Sequence, residues 1–207
     1  MNNNFDDIVL NRHSVRSFDK NVKISRAEMT QILQEAMTAP SSINMQPWRL
    51  VVVDSEEGKE KLRPLVKFNS RQNDTSAAMI LVFGDLQCYK KADLIYSKAV
   101  EEGLMSLENK ELFMQRYMPF YESLPRDKMN DIVKIDASLM SMQLMLVARK
   151  YGYDTNPIGG FEHEGLAETF GLDKERHVPV MIIAIGKADY ETHKTIRLAV
   201  DDVTKFI

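Results

Sequence analysis

Residues 137–148 have the sequence ASLMSMQLMLVA, an almost unbroken apolar run inside a longer helical pattern from Met129 to Tyr151. Gly152 follows this pattern, where glycine commonly ends a helix. A helix that is apolar on every side must be buried on every side. In a chain of 207 residues, the simplest solution packs one face on the chain's own sheet and the other on a second subunit. The run therefore predicts a long central helix at a subunit interface.

Further strands and helices are predicted on both sides of this helix. Short runs of β-branched and aliphatic residues with polar or turn-forming neighbours indicate buried strands. These are Trp48 to Val53, Ala78 to Phe83 and Val180 to Ile185. Helices are predicted from Phe5 to about Asn11, from Ser25 to near Ala39, from about Glu56 with a kink near Pro64, over a helical excursion from Cys88 to Leu124, and from Glu164 to Phe170. The tail from Ile196 to Ile207 has no core to join in this interpretation.

The second helix has clear start and stop signals. Ser25 and Glu28 have capping-box spacing, in which the serine side chain satisfies a free backbone N–H of the first turn. Pro40 disfavours helical geometry at the residue before it, so the helix should end near Ala39. No repeat, low-complexity stretch or Pro/Gly/Ser-rich linker divides the sequence. We therefore expect one α+β domain over residues 1–207.

Composition and charge exclude several classes of function. The chain has 27 Lys and Arg against 30 Asp and Glu, a formal charge of −3, whereas nucleic-acid-binding domains are usually basic. Its start lacks the basic and apolar regions of a secretory signal. The most apolar stretches, Ala77 to Gly84 and Val178 to Gly186, are far shorter than the ~20 residues that span a bilayer. Cys88 is the single cysteine, so the expected location is a reducing cytoplasm.

Common catalytic and cofactor motifs are missing from the sequence. The four histidines have no metal-ligand spacing, so no metal site is predicted. The sequence has neither a P-loop nor the glycine fingerprint of a Rossmann dinucleotide site. It also lacks the Gly-x-Ser-x-Gly nucleophile elbow.

Five short segments contain the polar and glycine residues that remain as candidates for binding a ligand. They are Arg12-His13-Ser14-Val15-Arg16 with Ser17-Phe18, Ala39-Pro40-Ser41-Ser42-Ile43-Asn44-Met45-Gln46-Pro47-Trp48, Phe68-Asn69-Ser70-Arg71-Gln72, Asn156-Pro157-Ile158-Gly159-Gly160-Phe161 and Lys194-Thr195-Ile196-Arg197. Two guanidiniums and a hydroxyl at the end of a helix suit a phosphate, because their charge and fork geometry match its oxygens. Alternatively, Arg12 complements the helix dipole and Arg16 is solvated.

The other segments have ordinary alternatives as well. Paired glycines let backbone N–H groups approach a ligand, yet Gly159 and Gly160 also suit a plain turn. Loops rich in Ser, Asn and Pro are mostly turns. The late basic pair, Lys194 and Arg197, is equally compatible with solvated surface.

The order of the five segments along the chain resembles that of the FMN-dependent nitroreductase family. The resemblance implies an α+β fold with a mixed sheet flanked by helices. It also implies an intertwined homodimer, a C-terminal extension that crosses to the partner, and FMN sites at the interface. For activity, the resemblance implies hydride transfer from NADH or NADPH through FMN to a nitroaromatic, quinone or related acceptor, by a ping-pong mechanism.

The resemblance also implies a cofactor-binding role for individual residues. The residues that would contact the phosphate and ribityl end of FMN are Arg12, His13 (through its backbone), Ser14, Arg16, Lys194 and Arg197. Asn69 and Gln72 would contact the pyrimidine edge, and the backbone of Ile158, Gly159 and Gly160 would donate near N5 and O4. The residues that would cover the flavin from the other subunit are Pro40, Ser41, Ser42 and Asn44. No side-chain acid or base is assigned. Gly159 stands where some relatives have Glu, and Gln72 where some have Lys.

Three alternatives remain open at this stage. The protein could bind flavin with little turnover, as a sensor or flavin store. Within enzymes, the resemblance also allows an NAD(P)H-independent dehydrogenase or a reductive dehalogenase. The excursion from Cys88 to Leu124 either walls the acceptor site or places its aromatic residues in simple helix packing.

Overall fold

An antiparallel sheet lies at the centre of the computed structural model, which describes residues 1–191 and 195–207. Its strands are β1 (Trp48–Val53), β2 (Ala78–Asp85), β3 (Asp154–Ile158) and β4 (His177–Gly186), in the spatial order β1-β2-β4-β3. Each neighbouring pair is antiparallel. A parallel bridge between Ser14 and Thr155 gives the β3 edge a mixed character. β2 is buried along its whole length, which explains its continuous apolar sequence.

Helices cover both faces of the sheet. They are α1 (Phe5–Leu10), α2 (Arg26–Ala36), α3 (Glu56–Leu62), α4 (Ser70–Thr75), α5 (Ala92–Glu101), α6 (Leu107–Ser123), α7 (Arg126–Lys150), α8 (Leu166–Thr169) and α9 (Val200–Val203). On one face, α2 and α7 pack on the sheet through residues such as Ile32, Met140 and Leu144. On the other, Leu62 of α3 and Leu166 of α8 join a second apolar cluster.

The three predicted strands are confirmed, but the sequence interpretation missed β3. Asn156 to Ile158 was taken as part of a glycine-containing loop or turn, and this was wrong, because these residues pair with β4. Proline is normally excluded from the middle of a sheet because it has no N–H to donate. β3 is an edge strand, where Pro157 is tolerated.

Several helix ends differ from their predicted positions by a few residues, as α2 and α7 show. The side chain of Ser25 caps α2 as predicted, accepting a hydrogen bond from the Glu28 N–H at 3.1 Å. α2 ends at Ala36, however, and a turn fills the space before Pro40. α7 begins at Arg126, three residues before the predicted start, with Pro125 as its cap. It ends as predicted before Gly152, whose φ of 84° requires the left-handed region.

Part of the apolar surface of α7, the long helix predicted at a subunit interface, is exposed to solvent. Ile135, Leu139 and Met142 of α7 are 62%, 46% and 42% exposed. The described tail after residue 195 is exposed too, apolar side chains included. Among the described residues, no helix combines the length and hydropathy needed to cross a membrane.

Candidate functional site

The first basic segment lies along the β3 edge of the sheet. α1 ends at Leu10, and the chain then runs beside β3, where the Val15 N–H donates to the Thr155 carbonyl at 3.0 Å. The side-chain amide of Asn156 donates to the Val15 carbonyl at 3.0 Å. The segment containing Arg12 to Arg16 is therefore fixed by the strand that also carries the start of the Pro-Ile-Gly-Gly segment.

Basic and hydroxyl side chains from both ends of the chain converge on one cavity of about 410 Å³. It is lined by Arg12, His13, Ser14, Arg16, Tyr190, Thr195 and Arg197. The hydroxyl of Tyr190 accepts a hydrogen bond from the Arg16 N–H at 3.1 Å. Arg197 donates to the Thr195 hydroxyl at 2.7 Å. Lys194, the other predicted member of this group, lies outside the described residues.

The electrostatics of this cavity favour an anion. Nη1 of Arg12 is buried and has no hydrogen-bond partner among the described residues. Burial lowers the pKa of the Arg12 guanidinium, and the positive charges of Arg197 and Arg149 lower it further. Arg12 is half-buried, and a cation that has a buried donor without a partner among the described residues, with like charges beside it, is costly unless an anion compensates it. The residues present therefore suit a phosphate group.

The third and fourth segments meet nearby through an amide chain. Nδ2 of Asn69 donates to the Gly160 carbonyl at 2.8 Å. Nε2 of the buried Gln72 donates to Oδ1 of Asn69 at 3.1 Å. A Cβ placed on Gly159 would meet no heavy atom within 4 Å, so the space beside this backbone is open. The arrangement offers amide groups and accessible backbone that suit the polar edge of a planar ligand.

The second segment forms a strained loop held by distant side chains. The Asp136 carboxylate of α7 accepts hydrogen bonds from the Ser42 N–H at 3.0 Å and from its hydroxyl at 3.2 Å. Ile43, Asn44 and Gln46 have φ values of 42°, 59° and 46°. Such conformations cost about 1–3 kcal/mol each in non-glycine residues and cluster at functional sites.

In a single chain this loop does not join the Arg12 cavity. Asp136 and Arg149 both belong to α7, and a rise of about 1.5 Å per residue separates them by about 20 Å. Arg149 lies near Arg12, whose pKa it lowers, whereas Asp136 holds Ser42. The structure thus brings the first, third, fourth and described part of the fifth segment to one end of the fold and leaves the second segment apart.

The excursion of α5 and α6 packs its own aromatic rings together and also borders a cavity, so its part in an acceptor site stays a prediction. Its aromatic rings pack on one another, with Phe113 edge-on to Tyr96 at 5.8 Å and to Tyr117 at 5.1 Å. It also borders a cavity of about 440 Å³, which it shares with Asn44 and Gln46 of the strained loop.

Two residues in or beside these sites were missed in the sequence. Tyr190 lines the basic cavity, and its only signal was an aromatic residue shortly before the late basic pair. Asp136 is 3% exposed and anchors the loop. An acidic residue next to the apolar run of α7 was a signal that could have found it.

Together these features define an α+β protein with a cationic cavity suited to a phosphate and an adjacent strip of amides and open backbone. The chain belongs to the nitroreductase family, whose sequence model matches residues 9–187.

Individual relatives agree with this membership over nearly the whole chain. YdgI of Bacillus subtilis, named as a candidate NAD(P)H nitroreductase, is 52% identical over 204 residues, covering 99% of this chain and 98% of its own. The CLA biosynthesis enone reductase of Lactiplantibacillus plantarum is 42% identical and covers 100% and 96%. A candidate nitroreductase from Exiguobacterium sibiricum, solved in complex with FMN, superposes with a TM-score of 0.98 at 50% identity, covering 100% and 99%.

Proposed function

We propose that this protein is an FMN-dependent oxidoreductase that takes hydride from NADH or NADPH. The observation that carries the proposal is the basic cavity, in which the buried Nη1 of Arg12 has no partner within residues 1–191 and 195–207. A close structural relative is solved with FMN, and YdgI carries the name of an NAD(P)H nitroreductase. When bound, FMN supplies the hydride-transfer chemistry, and the protein supplies binding, orientation and electrostatics.

The proposed binding roles follow the geometry of the cavity and the amide chain. Arg12, Ser14, Arg16 and Arg197 would hold the phosphate and ribityl end, with the His13 backbone beside them. Lys194 is proposed to join them on the family resemblance. The amides of Asn69 and Gln72 would meet the pyrimidine edge, and the backbone of Ile158, Gly159 and Gly160 would face the redox-active side.

We also propose a homodimer in which Pro40, Ser41, Ser42 and Asn44 cover the partner's FMN. Two observations support it. Asp136, which holds the strained loop, and Arg149, which lies near Arg12, are about 20 Å apart along α7. The exposed apolar face of α7 needs a cover, and so does the tail, in which Phe206 is 82% exposed.

The C-terminal extension would cross to the partner in this dimer. A cavity of about 440 Å³ lies along β1, which is an edge strand, and is lined by apolar residues such as Met29, Leu33 and Leu50. It could receive the apolar tail of the other subunit. On this proposal residues 1–207 form a single FMN-binding domain that is complete only as a pair. The single, buried Cys88 supports a cytoplasmic location.

The proposed acceptors are nitroaromatics, quinones and conjugated ketones, the last class suggested by the relative named as an enone reductase. The sequence contains no Rossmann fingerprint, so we propose that nicotinamide and acceptor use one site in turn, by a ping-pong mechanism. A steady-state comparison of NADH and NADPH across an acceptor panel tests this. Parallel double-reciprocal lines support the shared site, and intersecting lines contradict it.

A further inference from the structure

The buried carboxylate of Asp136 lies against the strained loop. The side chain is 3% exposed at about the middle of α7. Within the described part of the chain it accepts hydrogen bonds from Ser42, one from the N–H and one from the hydroxyl. Burial raises the pKa of the Asp136 carboxyl, while the hydrogen bonds from Ser42 oppose this shift. A buried acid is an expensive means of fixing a loop, because an apolar residue of similar size would avoid the desolvation cost.

The loop needs an anchor of this kind because its backbone is unfavourable. Ile43 is β-branched and has φ 42° and ψ 33°, in the left-handed region that such residues rarely adopt. Asn44 and Gln46 also have positive φ values. The hydroxyl of Tyr96 donates to the Ile43 carbonyl at 2.8 Å, so α5 fixes the loop from a second side. Persistent strain requires surroundings that over-determine the conformation.

We propose that Asp136 is a positioning residue that holds Ser42 through these two hydrogen bonds and so keeps the loop shaped to cover the FMN of the partner subunit. This role rests on the proposed function, in which the loop contacts the partner's cofactor. Asp136 itself acts through Ser42.

Three variants separate this role from general stability. Asp136→Leu keeps the branched shape of the side chain, with larger methyl groups in place of the oxygens, and removes both hydrogen bonds. Asp136→Asn keeps both, because its carbonyl accepts from the Ser42 N–H and its NH₂ group donates to the hydroxyl oxygen. Ser141→Ala is the matched control: Ser141 is buried on the same helix, and its hydroxyl donates within α7 to the Ala137 carbonyl.

Two measurements are made on each full-length variant: amide hydrogen exchange of residues 41–46 without added FMN, and the dissociation constant for FMN. The Leu variant should exchange about 10-fold faster in this loop and bind FMN about 10-fold more weakly, because hydrogen bonds to a charged group are lost. Its melting temperature should stay close to that of the wild type, because the desolvation cost that is removed offsets the hydrogen bonds that are lost. The Asn variant and the Ser141→Ala control should stay within about 3-fold of the wild type on both measures.

The outcomes distinguish this role from the proposed function. If the wild type and the Leu variant bind FMN equally well, the role of Asp136 is overturned and the proposed function stands. An Asn variant as weak as the Leu variant also overturns it, since Asn can form both hydrogen bonds. Wild-type protein that takes up no FMN overturns the function and this role together. If the Leu variant does not fold, Ser42→Ala removes one of the two hydrogen bonds, and unchanged exchange in the loop then contradicts the role.

Discussion

Asn69 donates a hydrogen bond to the Gly160 carbonyl at 2.8 Å across 91 positions of the chain. This contact joins the turn before α4 to the end of β3, and Gln72 extends it by donating to the same asparagine. The position of the open backbone at Gly159 and Gly160 therefore depends on an amide side chain from another element. Both ends of the contact lie in segments proposed to meet the flavin.

Replacing Asn69 with alanine should weaken FMN binding about 2- to 10-fold, the effect of losing one or two hydrogen bonds. Folding should change little, since the side chain is only half-buried. Fluorescence titration of FMN measures the affinity. Lys67→Ala is the control, because Lys67 is exposed in the same short turn. Equal affinities for the Asn69 and Lys67 variants would contradict the assignment.

The basic cavity should lose affinity without losing stability when one cation is removed. Arg16→Ala and Arg197→Ala should each weaken FMN binding about 10- to 150-fold, since hydrogen bonds to charged groups contribute about 1.5–3 kcal/mol. Removing Arg197 also relieves repulsion on Arg12, so the FMN-free variant should melt no lower than the wild type.

Arg126→Ala controls for loss of a cation elsewhere, because Arg126 is exposed and contacts Glu175 at the far end of α7. Titration and thermal melting are carried out on all three variants. Full FMN occupancy of both cavity variants at sub-micromolar concentration would show that the phosphate assignment is wrong.

Acid should unfold the protein partly through Asp85, which is buried between Arg49 and Arg176. Burial raises the pKa of this carboxyl, but hydrogen bonds from Arg176 and the Gln87 N–H, with the charge of Arg49, outweigh it and lower the pKa below 3.8. The stabilisation is therefore present above about pH 3.8, the unfolded value, and is lost as pH falls through the lower folded value.

Asp85→Asn should cost about 3–5 kcal/mol of unfolding free energy at neutral pH, the usual cost of breaking a buried ion pair. It should also flatten the pH dependence of stability below about pH 4. Urea unfolding at neutral and acidic pH measures both effects. Asp93→Asn should have little effect, because the Asp93 side chain is 71% exposed in its pair with Lys110. A variant at Asp85 with the acid sensitivity of the wild type would contradict this account.

Removing the residues after Arg197 should weaken the dimer and lower its FMN content. The deleted segment carries exposed apolar residues, including Leu198, Val203 and Phe206, for which the proposed cover is the partner. Sedimentation velocity and the flavin-to-protein ratio measure both effects. Lys205→Ala removes a charged side chain from the same tail and should leave the dimer and its FMN content unchanged. A truncated protein that stays dimeric and fully loaded would rule out the crossing tail.

The sequence predicted those elements whose residues carry a local pattern. β1, β2 and β4 are runs of apolar residues, and α7 has a long helical pattern with a glycine at its end. β3 could not be recognised this way, because Asn156 and Pro157 have low strand preference and pair only where the edge of the sheet allows it. The pairing with β4 decides its structure.

The candidate site was less accessible to local patterns because its contacts span most of the chain. Arg12 and Arg197 line one cavity although 185 positions separate them, and only the order of the five segments indicated that they meet. The anchor between Asp136 and Ser42 spans 94 positions and connects a helix to a loop with positive φ values. No spacing rule in a single sequence identifies such a contact.

The most direct test of the central claim is to mix the purified, FMN-loaded protein with NADPH or NADH without oxygen and follow the visible absorption of the flavin. We predict rapid bleaching with at least one nucleotide, and recovery of the absorption when a quinone or nitroaromatic is added after the nucleotide has been removed. Recovery without nucleotide present would establish that the two substrates act in turn. Protein that binds FMN stoichiometrically but is bleached by neither nucleotide would contradict the claim and favour a flavin-binding role with little turnover.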